Sequence, residues 1–161
     1  MRVGVITISD RASSGGYADE SGPAIEEELL RALPSVEVSR AIVPDEVDRI
    51  LAALEAYADR DFVLTTGGTG LGPRDVTPEA TRRFCDREVP GISEALRAHS
   101  ARETPFAWLS RGWAGARGRT IVVNFPGSPK AARSCVLLLA PVMEHAVRML
   151  RGESHGGRSA P

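Results

Sequence analysis

The chain repeats one arrangement: a short β-branched run, an abrupt polar or glycine-rich break, then a stretch with apolar residues at helical spacing. Residues 2–9 are built around Val3, Val5 and Ile6 and give way to a Gly-, Ser- and Asp-rich segment reaching Gly22, which predicts a buried strand and a loop. Ile25, Leu29 and Leu33 then fall at four-residue spacing behind Pro23 and three glutamates, the pattern of a helix that Ser21 is placed to cap. A second unit follows, with a strand over 36–43 and Asp45 as the cap of a helix carrying Val47, Ile50, Leu51, Leu54 and Tyr57 on one face. In the third unit the strand 61–66 runs into TTGGTGLGPRDVTPEA, where regular structure resumes only when Thr77 caps and Pro78 opens a helix.

Beyond it, a helix is predicted over 92–100, and 104–119 shows no readable period. A short apolar strand over 120–124 leads into FPGSPK, where Ser128 and Pro129 start a helix that Pro141 should break or kink before Gly152. Alternating strands and helices imply an α/β fold, a mostly parallel sheet covered by helices on both faces. With 161 residues, one domain over 1–151 and a flexible tail over 152–161 are expected. In such a sheet the chemistry sits where the strands end, which selects Ser9 and Asp10, Asp45, the TTGGTG loop and the PGSPK loop.

Composition narrows the function. A net charge of −1 gives no bulk attraction to nucleic acid. The longest apolar stretch, 136–142, is far too short to span a membrane, and the N-terminus lacks a signal-peptide pattern, so a cytoplasmic protein is expected. Cys85 and Cys135 have no metal-ligand spacing and read as buried thiols. His99 and His145 fall in predicted helices and His155 in the tail, which steers the mechanism toward positioned charge and away from an imidazole.

Three segments carry that charge. In TTGGTG, Thr66, Gly67, Gly68, Thr69 and Gly70 let backbone N–H groups approach an anion closely, although the same turn also serves as a plain strand-to-helix connection. The spacing matches neither G-x-x-x-x-G-K-[ST] nor G-x-G-x-x-G. Next to it, Asp75 reads equally as a Mg²⁺ ligand facing phosphates or as half of an Asp–Arg loop pair with Arg74. Pro126, Gly127, Ser128 and Lys130 put a cation on the first turn of a helix whose free N–H groups favour anions. Lys130 is the single lysine beside 19 arginines, which reads equally as a position that requires a compact ammonium or as a chance survivor, solvated on a plain helix start. Ser110 and Arg111 read as a surface turn, and Phe106, Trp108 and Trp113 as contact surface.

Taken together, TISDRASSG at 7–15, VPDE at 43–46, TTGGTG at 65–70, RDVTPEAT at 74–81, PG at 90–91, LSR at 109–111 and NFPGSPK at 124–130 resemble the MogA/MoaB family of molybdopterin-binding proteins. The resemblance implies a three-layer α/β/α domain, a homo-oligomer (trimer or hexamer) and transfer of AMP from Mg-ATP to the terminal phosphate of molybdopterin, with pyrophosphate released. It implies catalytic or Mg²⁺-binding roles for Asp45 and Asp75, and substrate-binding roles for the glycine loop, Ser110, Arg111 and the segment from Pro126 to Lys130, with Arg74 and Lys130 offsetting phosphate charge in the transfer. A downstream molybdate-insertion protein is the implied partner. A non-catalytic pterin carrier of the same family is the alternative reading, and a nucleotide-hydrolase relative a more distant one.

Overall fold

A computed structural model describes residues 1–153; the expected flexible tail lies outside the described residues from 154 onward. The predicted alternation becomes β1 (Arg2–Ile8), α1 (Asp10–Ser13), α2 (Ser21–Ala32), β2 (Glu37–Val43), α3 (Val47–Ala56), β3 (Phe62–Thr66), α4 (Thr77–Phe84), β4 (Arg87–Glu88), α5 (Pro90–Ser100), a 3₁₀ turn (Pro105–Leu109), β5 (Ala114–Arg117), β6 (Thr120–Phe125) and α6 (Pro129–Leu150).

The six strands form one sheet in the order β2-β1-β3-β6-β5-β4. The first four run parallel, and β5 and β4 close one edge antiparallel. Period-two alternation sends Val3, Val5, Phe62, Leu64, Ile121 and Val123 to one face, where they pack with Ile25, Leu29, Val136 and Met143 of α2 and α6. Ile6, Ile8, Val63 and Val122 face the other way, against Ile50, Leu54, Ala80 and Phe84 of α3 and α4. Both faces are thus covered, which is why these strands read as continuous apolar runs.

Several expectations are corrected in detail. None of Ser21, Asp45 and Thr77 makes the side-chain cap expected of it. Asp19 does that work for α2, its Oδ1 accepting the Gly22 N–H at 3.0 Å, while Asp45 and Thr77 are turned toward the glycine loop. Pro141 does not end its helix: α6 is 22 residues long and continues past Pro141 to Leu150. The unreadable segment 104–119 holds the 3₁₀ turn and β5, and Trp113 in it is buried, so it offers no contact surface; Phe106 and Trp108 are exposed as expected.

Candidate functional site

The chain leaves β1 toward β2 on one side and returns to β3 on the other, so a crevice opens at the carboxyl ends of β1 and β3, the usual ligand position in such sheets. The TTGGTG loop fills it. Gly67 has φ 99°, and a Cβ there would lie 2.3 Å from the Ile8 carbonyl oxygen; Gly68 has φ 61°, and a Cβ would meet Thr77 Oγ1 at 2.4 Å and Asp45 Oδ1 at 2.9 Å. Only glycine fits either position. The second loop reaches the first, since Thr66 Oγ1 donates to the Pro126 carbonyl at 2.8 Å and a Cβ on Gly127 would lie 3.3 Å from Gly67 Cα.

Beneath these loops lies a polar knot in an apolar core. Asn124 Nδ2 donates to Thr65 Oγ1 (2.9 Å) and Thr81 Oγ1 (2.8 Å), and its Oδ1 accepts the Trp113 N–H at 3.1 Å. Thr81 Oγ1 in turn donates to the Thr77 carbonyl at 2.9 Å. The knot joins β3, β6, α4 and the start of β5 with every side-chain group paired, so it fixes the relative position of the two loops. Its sequence signal is an amide and two hydroxyls in otherwise buried elements.

Three aspartates surround the glycine loop. Asp10 and Asp45 exchange backbone contacts: Asp45 Oδ2 accepts the Asp10 N–H at 2.9 Å, and Asp10 Oδ1 accepts the Asp45 N–H at 3.0 Å. Arg74 closes on Asp10 through Nε (3.0 Å) and Nη2 (2.9 Å), so the arginine of the RDVTP segment pairs with Asp10 and not with its neighbour Asp75. Asp75 Oδ2 accepts the Gly72 N–H at 2.8 Å and closes its own turn. Hydrogen bonding from Arg74 holds the Asp10 carboxyl below the usual range. Asp45 is pushed the other way, first by burial and then by the negative charges of Asp10 and Asp75, against the backbone bond from Asp10. An aspartate whose anion is disfavoured by like charges sits where a cation would relieve it.

That arrangement answers whether Mg²⁺ fits. Among the described residues no group of three or more His, Cys, Asp or Glu side chains could cage a metal by itself. Two carboxylates, Asp45 and Asp75, flank an anion-accepting loop, and Mg²⁺ is characteristically held by one or two carboxylates together with substrate phosphates. The donor set therefore suits Mg²⁺ that arrives with a phosphate ligand.

Arg111 is not on a surface turn. Its N–H donates to the Thr69 carbonyl at 2.9 Å, Nε donates to the Gly70 carbonyl at 2.7 Å, and the guanidinium also bonds the Asp75 carbonyl and the Glu79 carboxylate. It is the clasp of the glycine loop. Ser110 Oγ accepts the Gly112 N–H at 3.2 Å and lines the cleft beside that clasp. Lys130 is the opposite case, an exposed side chain whose Nζ lies 2.8 Å from Glu103. Ser128 precedes α6 without making a side-chain cap.

The joined loops stand as a wall between two clefts. One, of about 340 Å³, within the range of small-molecule sites, has Leu96, Pro126 and Ala131 among its apolar lining and the hydroxyls of Thr69, Ser93, Ser100, Thr104, Ser110 and Ser128 around it. The other, of about 200 Å³, is lined by Ser9, Arg11, Tyr17, Asp19, Gly67 and Gly127. Ser93, Arg97 and Ser100 were not singled out in the sequence, because α5 reaches the site beside the antiparallel edge; Arg11, Tyr17 and Asp19 lie in the polar segment between β1 and α2, which read only as a loop. Neither His99 nor His145 lines either cleft. Burial pushes the Cys85 thiol up to about 12 and that of Cys135 up to about 11, so neither is a nucleophile at neutral pH.

The same fold and segments recur in known proteins. A family model described as probable molybdopterin binding domain matches residues 4–145. The molybdopterin adenylyltransferase of Helicobacter pylori (strain J99) is 42% identical over 156 residues, 94% of this chain and 89% of that protein. The molybdenum cofactor synthesis protein cinnamon of Drosophila melanogaster is 41% identical over 150 residues, and there this chain spans 25% of the relative's length. Among solved structures, the molybdopterin biosynthesis enzyme MoaB from Thermus thermophilus superposes with a TM-score of 0.86 at 48% identity, over 94% of this chain and 96% of that one.

Proposed function

The chain belongs to the probable molybdopterin binding domain family, and we propose that it adenylylates the terminal phosphate of molybdopterin with ATP and Mg²⁺, releasing pyrophosphate. The observation that carries this reading is the position of the glycine loop, with Asp45 and Asp75 beside it, as the shared wall of two clefts. A transfer between two phosphate-bearing molecules needs such a wall, because both phosphates must reach one anion-accepting surface while each ring occupies its own side.

In the reaction an oxygen of the pterin phosphate forms a bond to the α-phosphorus of ATP, and the bond from that phosphorus to the β-phosphate bridging oxygen breaks. The attacking oxygen is already ionised at neutral pH, so no general base is required, in keeping with clefts that hold no histidine. The chain's task is to bring two polyanions together and hold them in line. Backbone N–H groups of Gly68 and Gly70 and of the start of α6 donate to phosphate oxygens, while the Gly67 N–H stays on the Phe125 carbonyl. Asp45 and Asp75 hold Mg²⁺, which when bound offsets phosphate charge at the reacting centre. Arg111 keeps the loop in shape, and Lys130 leaves Glu103 for a phosphate.

The larger cleft takes the pterin. Its hydroxyls each donate and accept, which matches a ring edge that alternates amide, amine and ring-nitrogen groups, and its apolar floor matches the ring faces. The smaller cleft, with Tyr17 and Arg11 at its edge, takes the nucleotide. The chain works as a homo-oligomer, trimer or hexamer, in the cytoplasm; light scattering that returned only monomer would overturn the first part. Among the described residues no helix is long and apolar enough to cross a membrane.

The deciding experiment incubates the full chain with molybdopterin and Mg-ATP and measures pyrophosphate together with adenylylated pterin. Pterin-dependent pyrophosphate release is expected. Tight pterin binding without pyrophosphate would make the chain a carrier.

A further inference from the structure

The cations that the sequence places at the site are largely neutralised within the protein. Arg74 is paired with Asp10, Arg111 with Glu79 and Lys130 with Glu103. The larger cleft contrasts with this. Among its lining residues there is no carboxylate at all, and the one charged side chain is Arg97 of α5.

Arg97 is bonded in an uneven way. Its Nη1 donates to the Gly112 carbonyl at 2.6 Å and, at the edge of hydrogen-bond distance, to the Ser110 carbonyl at 3.5 Å. No carboxylate lies within ion-pairing distance of it among the described residues, although Glu88 and Glu94 line the neighbouring groove that it also borders. Nε and Nη2 have no protein acceptor among the described residues. These two atoms form the side-on edge of the guanidinium, the edge that binds a carboxylate or phosphate through two parallel hydrogen bonds. A partly buried cation with only carbonyl partners and an open fork is costly to keep unless something anionic meets it.

We propose that Arg97 is the oxyanion-binding residue of the larger cleft, its Nε–Nη2 edge holding the phosphate of the substrate seated there. The choice of substrate rests on the functional reading above; the anion site itself does not. One end of the guanidinium is fixed by the Gly112 carbonyl, so the free end is oriented before ligand arrives and little side-chain entropy is lost on binding. The same cleft is bordered by Thr69 and Gly70 of the glycine loop, so Arg97 and that loop open into one cavity.

A purely structural role, clamping the segment that carries Arg111, predicts different results, and three variants separate the two. Molybdopterin affinity is measured without ATP by equilibrium binding to the full chain, and KM for both substrates is measured where turnover is found. With Arg97→Met, molybdopterin affinity is expected to fall roughly ten- to hundredfold, as for a lost charge-assisted pair, with KM for ATP within about twofold. Arg97→Lys keeps the charge without the fork and is expected to recover about half of that loss on a logarithmic scale. Glu94→Gln, which leaves the fork untouched, serves as a control and should bind as the parent does. Molybdopterin affinity of Arg97→Met within twofold of the parent overturns the proposal. So does an equal loss for both substrates with a lowered Tm and no recovery in Arg97→Lys, which is the structural outcome. Absence of pyrophosphate from the parent chain would sink the transferase reading alone, because the binding comparison needs no turnover.

Discussion

The two glycine-bearing loops of the site lie against one another, and the chain holds them in opposite ways. The loop 65–70 is fastened along its length: the Thr77 side chain donates to the Gly67 carbonyl at 2.9 Å, the Thr77 N–H to that of Gly68 at 3.1 Å, the Arg111 N–H to that of Thr69 at 2.9 Å and Arg111 Nε to that of Gly70 at 2.7 Å. Four consecutive carbonyls are thereby turned toward protein donors and the Gly67 N–H is tied to the Phe125 carbonyl at 3.4 Å, which leaves the N–H groups from Gly68 onward for a ligand. The loop 126–130 has one comparable tether, from Thr66 to Pro126, and ends in a lysine with 83% of its side chain exposed. A glycine-rich sequence next to a helix start thus describes two devices. One is a rigid array of backbone dipoles that needs no rearrangement during reaction; the other is a single charge on a flexible stem that can follow a phosphate.

The sharpest way to break the contrast is to deform the rigid loop. Gly67→Ala puts a Cβ against the Ile8 carbonyl at a positive φ, and is expected to abolish transfer and to cost about 2 kcal/mol or more in stability. Gly127→Ala meets the Gly67 backbone less closely, its Cα at 3.3 Å and its N at 3.8 Å, with no positive φ, and should keep its Tm within a few degrees with partial activity. Equal losses in the two variants would show that the loops are not held differently.

Next in size come the carboxylates beside the rigid loop. Asp45→Asn and Asp75→Asn are each expected to lose most transfer while the fold survives, and wild-type turnover in both would remove their assigned roles. Asp45 carries a further signature. Its folded pKa lies above the ordinary 3.8, so its contribution to stability is present at low pH and is lost as pH rises through the folded value. At pH 7 the ionised group therefore costs stability, and Asp45→Asn should hold or raise Tm as it loses activity. Carboxyl NMR titration supplies the check without turnover: Asp45 is expected to titrate above 3.8, and Asp10, held by Arg74, below it. The reverse order would undo the electrostatic account of the site.

Arg111→Lys tests the fastening itself. Lysine cannot reach the Gly70 carbonyl and Glu79 with a planar fork, so kcat should fall roughly ten- to hundredfold through misplacement of the loop. A Tm lower by about 2–4 °C should accompany it, the shift expected for about 1 kcal/mol in a domain of this size. Unchanged kcat would mean that the glycine loop holds its shape without the clasp.

How far the sequence reached follows the same division. The parallel strands β1, β3 and β6 were legible because burial on both faces leaves apolar runs such as VGVIT and TIVVN, whereas the edge strand β2, partly exposed, was legible from the V-x-x-x-IV of EVSRAIV. The glycine loop, Asp45 and Asp75 were legible because they follow those strands directly. The antiparallel edge was not: β4 has two residues and β5 four, with the sequence AGAR, too short and too small in side chain to show a period. What adjoins that edge was less legible: Arg111 reads from its local sequence as a surface turn, although the resemblance puts it in the site, and the cleft wall of α5 with Arg97 was not singled out. The caps failed for a different reason. Asp45 and Thr77 have the right residue type in the right place to cap a helix, and tertiary contacts draw their side chains away, Asp45 to the Asp10 N–H and Thr77 to the Gly67 carbonyl.

The smallest expected effect falls on the flexible loop, and it is the most informative about why the chain keeps one lysine among its arginines. Lys130 and Glu103 hold each other in charged form: the hydrogen bond to Glu103 raises the lysine above its ordinary value, and Lys130 lowers the glutamate. Being fully exposed, the pair adds nothing measurable to stability, so Lys130→Ala should leave Tm unchanged. Its effect lies in binding, with KM for the phosphate substrates up by roughly tenfold and weaker dependence on salt. Glu103→Gln releases the ammonium from its resting partner and should lower KM modestly, an effect that must vanish when Lys130→Ala is added. Lys130→Arg restores the charge with a wider, planar head, and if a compact ammonium is what the loop requires it recovers only part of the loss. Full recovery with arginine would reduce Lys130 to any cation on the first turn of α6, and the flexible loop would then differ from the rigid one in mobility alone.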